Sequence, residues 1–251
     1  MACRVSAFLL LFLTGAAGIH AQDERRVASP DGQIEFRVFL THPEPEAFVR
    51  MAYQVYYRGK RIINTSFLGL YIHDQPTLGQ NVGMTASHTD ATTPAYQGLF
   101  AEYMQNGTLG RRINLEVRVY NDGIAFRYHV PKSGPLEHMN IEDEATEFEL
   151  MVDTPEISRV SAESLAGLPF VSEQPGLGWI AINEVPAAGY PRMKLSRSEG
   201  RILITHLPLL PGDRFNAWIG VTPMTGPWRV LQIGPTRESV LSAKLVDSLN
   251  P

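Results

Sequence analysis

The chain has 251 residues, 44% of them hydrophobic, and a formal net charge of −4. That is enough apolar material for a large core in one or two domains. The slightly acidic balance leaves no basic stripe for a phosphate backbone, which argues against nucleic acid as a partner.

The N-terminus carries Arg4, an apolar run from Val5 to Leu13, small residues, and then Ile19-His20-Ala21 ahead of Gln22-Asp23-Glu24. This pattern reads as a secretory signal peptide over residues 1–21, with Ala17 as an alternative cut, and the expected destination is periplasmic or secreted. The run is too short to anchor the chain in a bilayer, and no other stretch reaches the roughly 18 apolar residues a membrane helix needs. Cys3, the only cysteine, falls within this segment and too early to carry a lipid. The mature part, residues 22–251, then has neither disulfide nor thiolate, and its stability must rest on its core.

Along the mature chain the period is two. Ser29-Pro30-Asp31-Gly32 is a turn signal before a strand over residues 33–40, and residues 51–57 pair with 61–70 around Arg58-Gly59-Lys60. Residues 75–96 are polar without a period and read as loop with at most one strand; residues 99–110 are irregular. The clearest pattern lies in residues 113–130, where Ile113, Leu115, Val117 and Val119 alternate on one arm and Ile124, Phe126, Tyr128 and Val130 on the other. A type I′ loop at Asp122-Gly123 predicts Val119 opposite Phe126 and Val117 opposite Tyr128, with both apolar rows on one face. Residues 141–152 form an acidic strand, and further strands are expected at 178–184, 193–195, 201–207, 217–222 and 228–234. Only residues 236–249 look helical, with Thr236 as N-cap and Leu241, Leu245 and Leu249 four apart. More than ten short strands punctuated by Gly and Pro predict an all-β sandwich forming one unit over residues 22–251.

Residues able to carry chemistry are scattered. No His-x-x-x-His pair, acidic EF-hand loop, Gly-x-Ser-x-Gly elbow or phosphate cradle is present. Glu142, Asp143, Glu144, Glu147 and Glu149 make an acidic run that strand alternation places on a solvated face. Trp179, Trp218, Trp228 and Tyr190 could stack on sugar rings, though the core is the commoner fate of such aromatics. Glu184 ends the apolar stretch Trp179-Ile180-Ala181-Ile182-Asn183 just before Val185-Pro186-Ala187-Ala188-Gly189. A carboxylate there is expected at a solvent-exposed strand end, in reach of a ligand or a neighbouring domain.

Glu102-Tyr103-Met104-Gln105-Asn106-Gly107, Leu109-Gly110-Arg111-Arg112, Glu116-Val117-Arg118 and Asp122-Gly123-Ile124-Ala125-Phe126-Arg127-Tyr128 resemble the N-terminal domain of glycoside hydrolase family 97, which contains calcium-dependent α-glucosidases and α-galactosidases. Ile180-Ala181-Ile182 with Glu184, and Pro227-Trp228-Arg229-Val230 with Ile233-Gly234, extend the resemblance in order to the chain's end. It implies a galactose-mutarotase-like super-sandwich of two antiparallel sheets, followed in the family by a catalytic (β/α)₈ barrel that acts on α-linked glucosides or galactosides. The catalytic acid and the base or nucleophile lie in that barrel, so no catalytic residue carries over. What carries over is Glu184, matching a glutamate that the family's N-terminal domain supplies to the active-site calcium. Two other readings stand beside this one: a stand-alone carbohydrate-binding module, and a mutarotase-like epimerase that would need a His and a carboxylate converging in one cleft.

Overall fold

The computed structural model describes residues 22–90, 93–107, 110–134 and 136–249; the expected leader lies outside them. In chain order the elements are β1 Gln22–Ala28, β2 Ile34–Thr41, β3 Arg50–Tyr57, β4 Lys60–Phe67, β5 Leu70–Ile72, β6 Val82–Asp90, β7 Tyr96–Gln105, β8 Arg112–Tyr120, β9 Gly123–Val130, β10 His138–Glu144 and β11 Glu147–Glu149. A helical turn α1 Pro155–Ser158 precedes β12 Phe170–Gln174, β13 Gly178–Val185, β14 Lys194–Arg197, β15 Ile202–His206, β16 Trp218–Val221, β17 Met224–Thr225, β18 Trp228–Gly234, and the short helices α2 Arg237–Leu241 and α3 Leu245–Leu249.

These strands build antiparallel sheets. The larger runs β12-β13-β18-β9-β8-β7-β6, with β17 also on β9; facing it is β1-β2-β3-β4. A bridge from Ile63 to Leu150 carries the second layer on to the sheet β11-β15-β14. A further sheet, β16-β10-β5, is tied in by Tyr128, whose hydroxyl accepts from the Gly69 amide and bonds Thr146.

The core follows from the pleat, which turns alternate side chains to one side. Phe36 and Val38 of β2, Tyr53 and Val55 of β3, Leu115 and Val117 of β8, and Ile124 and Phe126 of β9 are all buried between the layers. The Phe126 ring reaches across to Tyr53 at 5.4 Å. Each such large apolar side chain contributes about 1.5–3 kcal/mol by leaving water, so the two parity rows of the β8–β9 hairpin fix which face turns inward.

The register within that hairpin differs from expectation. Tyr120 pairs with Gly123 and Val117 with Phe126, so the loop is Asn121-Asp122 and the arms shift by two residues, which preserves the buried face. Tertiary ties decide it. The Asp122 carbonyl accepts from Ile233, its carboxylate from the Lys244 amide, and Asn121 from the Asp31 amide. Gly123 is required by a close approach: a Cβ there would lie 2.2 Å from the Leu231 carbonyl oxygen.

Other boundaries also move. Residues 75–96 hold the one strand allowed for there, the edge strand β6, whereas the stretch from residue 99 expected to be irregular is the regular strand β7, which buries Leu99, Ala101 and Tyr103 in alternation. The acidic stretch splits into β10 and β11, which enter different sheets, and β12 has no counterpart among the expected strands. The expected C-terminal helix is two helices, α2 and α3, interrupted at residues 242–244. Thr236 caps the first as expected, accepting from the Ser239 amide in a reciprocal capping box.

Candidate functional site

Glu184 lies near the end of β13, but the strand runs on through Val185, and the pleat turns the carboxylate inward. Its side chain is 1% exposed, which corrects the expected solvent-exposed strand end. The reason stands directly across the sheet: Arg229 of β18 is the register partner of Glu184, and its Nη1 donates to Glu184 Oε2 at 2.6 Å.

Arg229 is itself fully buried and serves a second carboxylate. Its Nε donates to Glu144 Oε2 at 3.0 Å and its Nη2 to Glu144 Oε1. Tyr190, buried in the loop after β13, adds its hydroxyl to Glu144 Oε1 at 3.1 Å. Burial alone would lower the Arg229 pKa; Glu144 by charge and hydrogen bond, aided by Tyr190 and Glu184, raises it instead. The guanidinium is therefore a permanent charge between two acids.

The remaining partners of Glu184 are the Met193 amide, donating to Oε2 at 3.2 Å, and Arg192, whose Nε donates to Oε1 at 2.6 Å. The Arg192 side chain is 66% exposed. Two arginines against two glutamates make the cluster neutral overall. The two oxygens of Glu184 thus differ. Oε2 is fixed by a buried guanidinium and a backbone amide, while Oε1 is covered by a single arginine whose own side chain is largely exposed.

This geometry fits calcium in part. Calcium takes six to eight oxygen ligands, and among the described residues no group of three His, Cys, Asp or Glu is placed to hold a metal ion. Glu184 Oε1 is the one ligand atom in this network that a modest side-chain movement would free.

Elsewhere the sequence candidates disperse. Of the acidic run, Glu144 is buried on Arg229, Glu142 bonds His73, and Glu149 pairs with Arg201 at 3.0 Å, so the run is no common solvated face. Burial raises the Asp143 carboxyl to about 7, although the Glu144 and Leu207 amides donate to it. Trp228 is buried beneath Arg127 and Arg118, and Trp218 leans on Tyr190 at 5.9 Å; both are packed rather than offered as open platforms. His129 meets Glu116 at 2.7 Å, but Arg127 and Arg118 join them. Burial pushes the Glu116 pKa up, yet these donors outweigh it and hold it near about 2. Such a carboxylate stays ionised, and its oxygens are taken up by Arg118, Arg127 and His129 rather than offered to a ligand.

Sequence reasoning missed Arg229 and Arg192 as partners of Glu184, and Glu144 and Tyr190 as the other members of the cluster around Arg229. Arg229 had a signal: a charged residue inside a mostly apolar strand, Trp228 to Gly234, must find a buried counter-charge.

Comparison with known proteins aligns the chain with the sequence model described as glycosyl-hydrolase 97 N-terminal, over residues 27–158 and 151–251. A retaining alpha-galactosidase from Bacteroides thetaiotaomicron is 25% identical over 238 residues, covering 80% of this chain and 35% of that protein. A glycoside hydrolase family 97 enzyme from Pseudoalteromonas sp. strain K8, solved in complex with acarbose, superposes with TM-score 0.76 at 19% identity, covering 90% of this chain and 38% of that one. A beta-arabinopyranosidase superposes with TM-score 0.69 at 20% identity over 85% of this chain and 40% of the other. The chain thus spans well under half the length of each.

Proposed function

Since the chain belongs to the family of glycosyl-hydrolase 97 N-terminal domains, we propose that it is the accessory β-sandwich of an exported glycoside hydrolase, packing on a catalytic (β/α)₈ barrel and lending Glu184 to a calcium ion. The substrates in this reading are α-linked glucosides or galactosides. Export rests on the leader pattern of Arg4 and Val5 to Leu13, and no helix among the described residues is long and apolar enough to cross a membrane.

The observation that carries the reading is the asymmetry of Glu184. Arg229 and the Met193 amide hold Oε2 in place, so the carboxylate is preorganised, while Oε1 has only the exposed Arg192 over it. A ligand positioned in this way loses little side-chain entropy on binding. Calcium, when bound, would supply charge stabilisation at the reacting centre. What this chain does is orient one oxygen and, through it, the approach of the second domain.

The division of labour is testable. Purified residues 22–251 should show no turnover of aryl α-glucosides or α-galactosides, because the acid and base are supplied by the barrel. The same residues, grafted in place of the N-terminal domain of the Pseudoalteromonas enzyme, should restore calcium-dependent turnover. Hydrolysis by the isolated chain, or a folded chimera with no activity, would defeat the proposal.

A further inference from the structure

The layer formed by β1 to β4 has a second, outward face, and it is concave. A cavity of about 750 Å³ lies on it, within the size range of small-ligand sites. Its shape follows from the cross-strand rungs. Phe39, Ala52 and Phe67 form one rung, and the short Ala52 leaves a dip between two aromatic walls. The next rungs bring Arg37 beside Gln54, and Glu35 beside Tyr56 and Arg61.

These groups are organised as a hydrogen-bonded array. Gln54 Nε2 donates to Thr65 at 2.9 Å, and the Tyr56 hydroxyl donates to Gln54 Oε1 at 3.1 Å. Arg61 donates to that hydroxyl and, at 2.8 Å, to Asn64. The Arg37 guanidinium sits over the Tyr56 ring, 4.0 Å from its centre. Arg37, Gln54, Tyr56, Arg61, Asn64 and Thr65 are half-buried by the curvature rather than projecting into water.

We propose that this groove is a binding site for an uncharged, hydroxyl-rich chain, an oligosaccharide segment. Charge decides against the acidic or basic alternatives: of the charged lining residues Arg37 is paired with Glu35, Glu24 with Arg26 and Glu149 with Arg201, while Arg61 is engaged by Tyr56 and Asn64. An ionic ligand would meet its own sign as well as its opposite. A hydroxyl both donates and accepts, so it can join an array of amide, phenol and guanidinium groups without leaving a charge unpaired. A peptide would pair along an open strand edge, whereas the groove crosses the faces of strands that are already paired. The site shares no residue with the Glu184 network, so the proposal stands or falls apart from the one above.

The test is an amide NMR titration of residues 22–251 with maltoheptaose, with cellohexaose and with a polygalacturonate of similar length. At least one neutral oligosaccharide should give saturable shifts confined to β2, β3, β4 and their neighbours. Tyr56→Ala and Gln54→Ala should each weaken that binding about tenfold or more, the factor that corresponds to about 1.4 kcal/mol. Thr65→Val, which keeps the strand and removes one bond of the array, should weaken it less. Absence of saturable shifts with both neutral chains, shifts centred elsewhere, an affinity unchanged in Tyr56→Ala and Gln54→Ala, or tighter binding of polygalacturonate would overturn the assignment.

Discussion

Replacing Arg229 by methionine removes the cation that holds two buried acids. Glu144 and Glu184, each with a side chain 1% exposed, would be left facing one another across the space that the guanidinium fills. Removing one partner of a buried ion pair costs about 3–5 kcal/mol, because the charge left behind is desolvated without compensation. For a domain of this size that corresponds to a fall of roughly 6–20 °C in Tm. The loss must depend on pH. Without Arg229 the two carboxyls have folded-state pKa values raised above their unfolded values by burial and mutual repulsion. The folded variant then binds more protons than the unfolded chain, and its stability falls as pH rises through those raised values. Urea unfolding of residues 22–251, followed by circular dichroism at about pH 7 and about pH 4.5, should show most of the deficit at the higher pH. A cost below about 1 kcal/mol, or an equal cost at both pH values, would refute the view that Arg229 is the electrostatic centre of this cluster.

Asp143→Asn should flatten the dependence of Tm on pH. The wild-type carboxyl, raised to about 7 by burial, keeps its proton in the folded state while the unfolded chain loses it near about pH 4. Its stabilising contribution is full below that pH and is lost as pH rises through about 7; parallel Tm curves for the two proteins would contradict this. Gly123→Ala should cost about 2 kcal/mol or more, since its Cβ would press to 2.2 Å from the Leu231 carbonyl oxygen at a φ of +155°. An unchanged urea midpoint would show that the strands yield there.

The all-β class and the buried faces were legible in the sequence because the pleat writes itself as parity. Val117, Val119, Phe126 and Tyr128 announce a face whatever their exact pairing. The pairing was not legible, because Asn121 and Asp122 answer to Asp31, Ile233 and Lys244, residues distant in sequence that no local turn preference can anticipate. The bounds of β6 and the regularity of β7 were hidden for a related reason: an edge strand need not alternate, and Gly98 and Gln105 dilute the pattern of its neighbour.

The sequence context of Glu184 singled it out and pointed to an exposed strand end, and the family resemblance attached the calcium expectation to it. Its burial follows from Arg229 at the matching register of β18 and Glu144 from a third strand, contacts that exist only once the sheets have assembled. The groove on β1 to β4 was similarly invisible, since Gln54, Tyr56 and Arg61 read along the chain as ordinary outward-facing polar positions.

The central claim, that this domain lends one carboxylate oxygen to a calcium ion shared with a barrel, is tested most directly by calcium titration of the chimera carrying residues 22–251 on the Pseudoalteromonas barrel. Glu184→Gln should weaken calcium binding at least about tenfold, because affinity for this ion follows the number of charged oxygen ligands. Glu149→Gln, on the opposite layer and paired with Arg201, should leave it unchanged. Equal calcium affinity in the two variants would contradict the account.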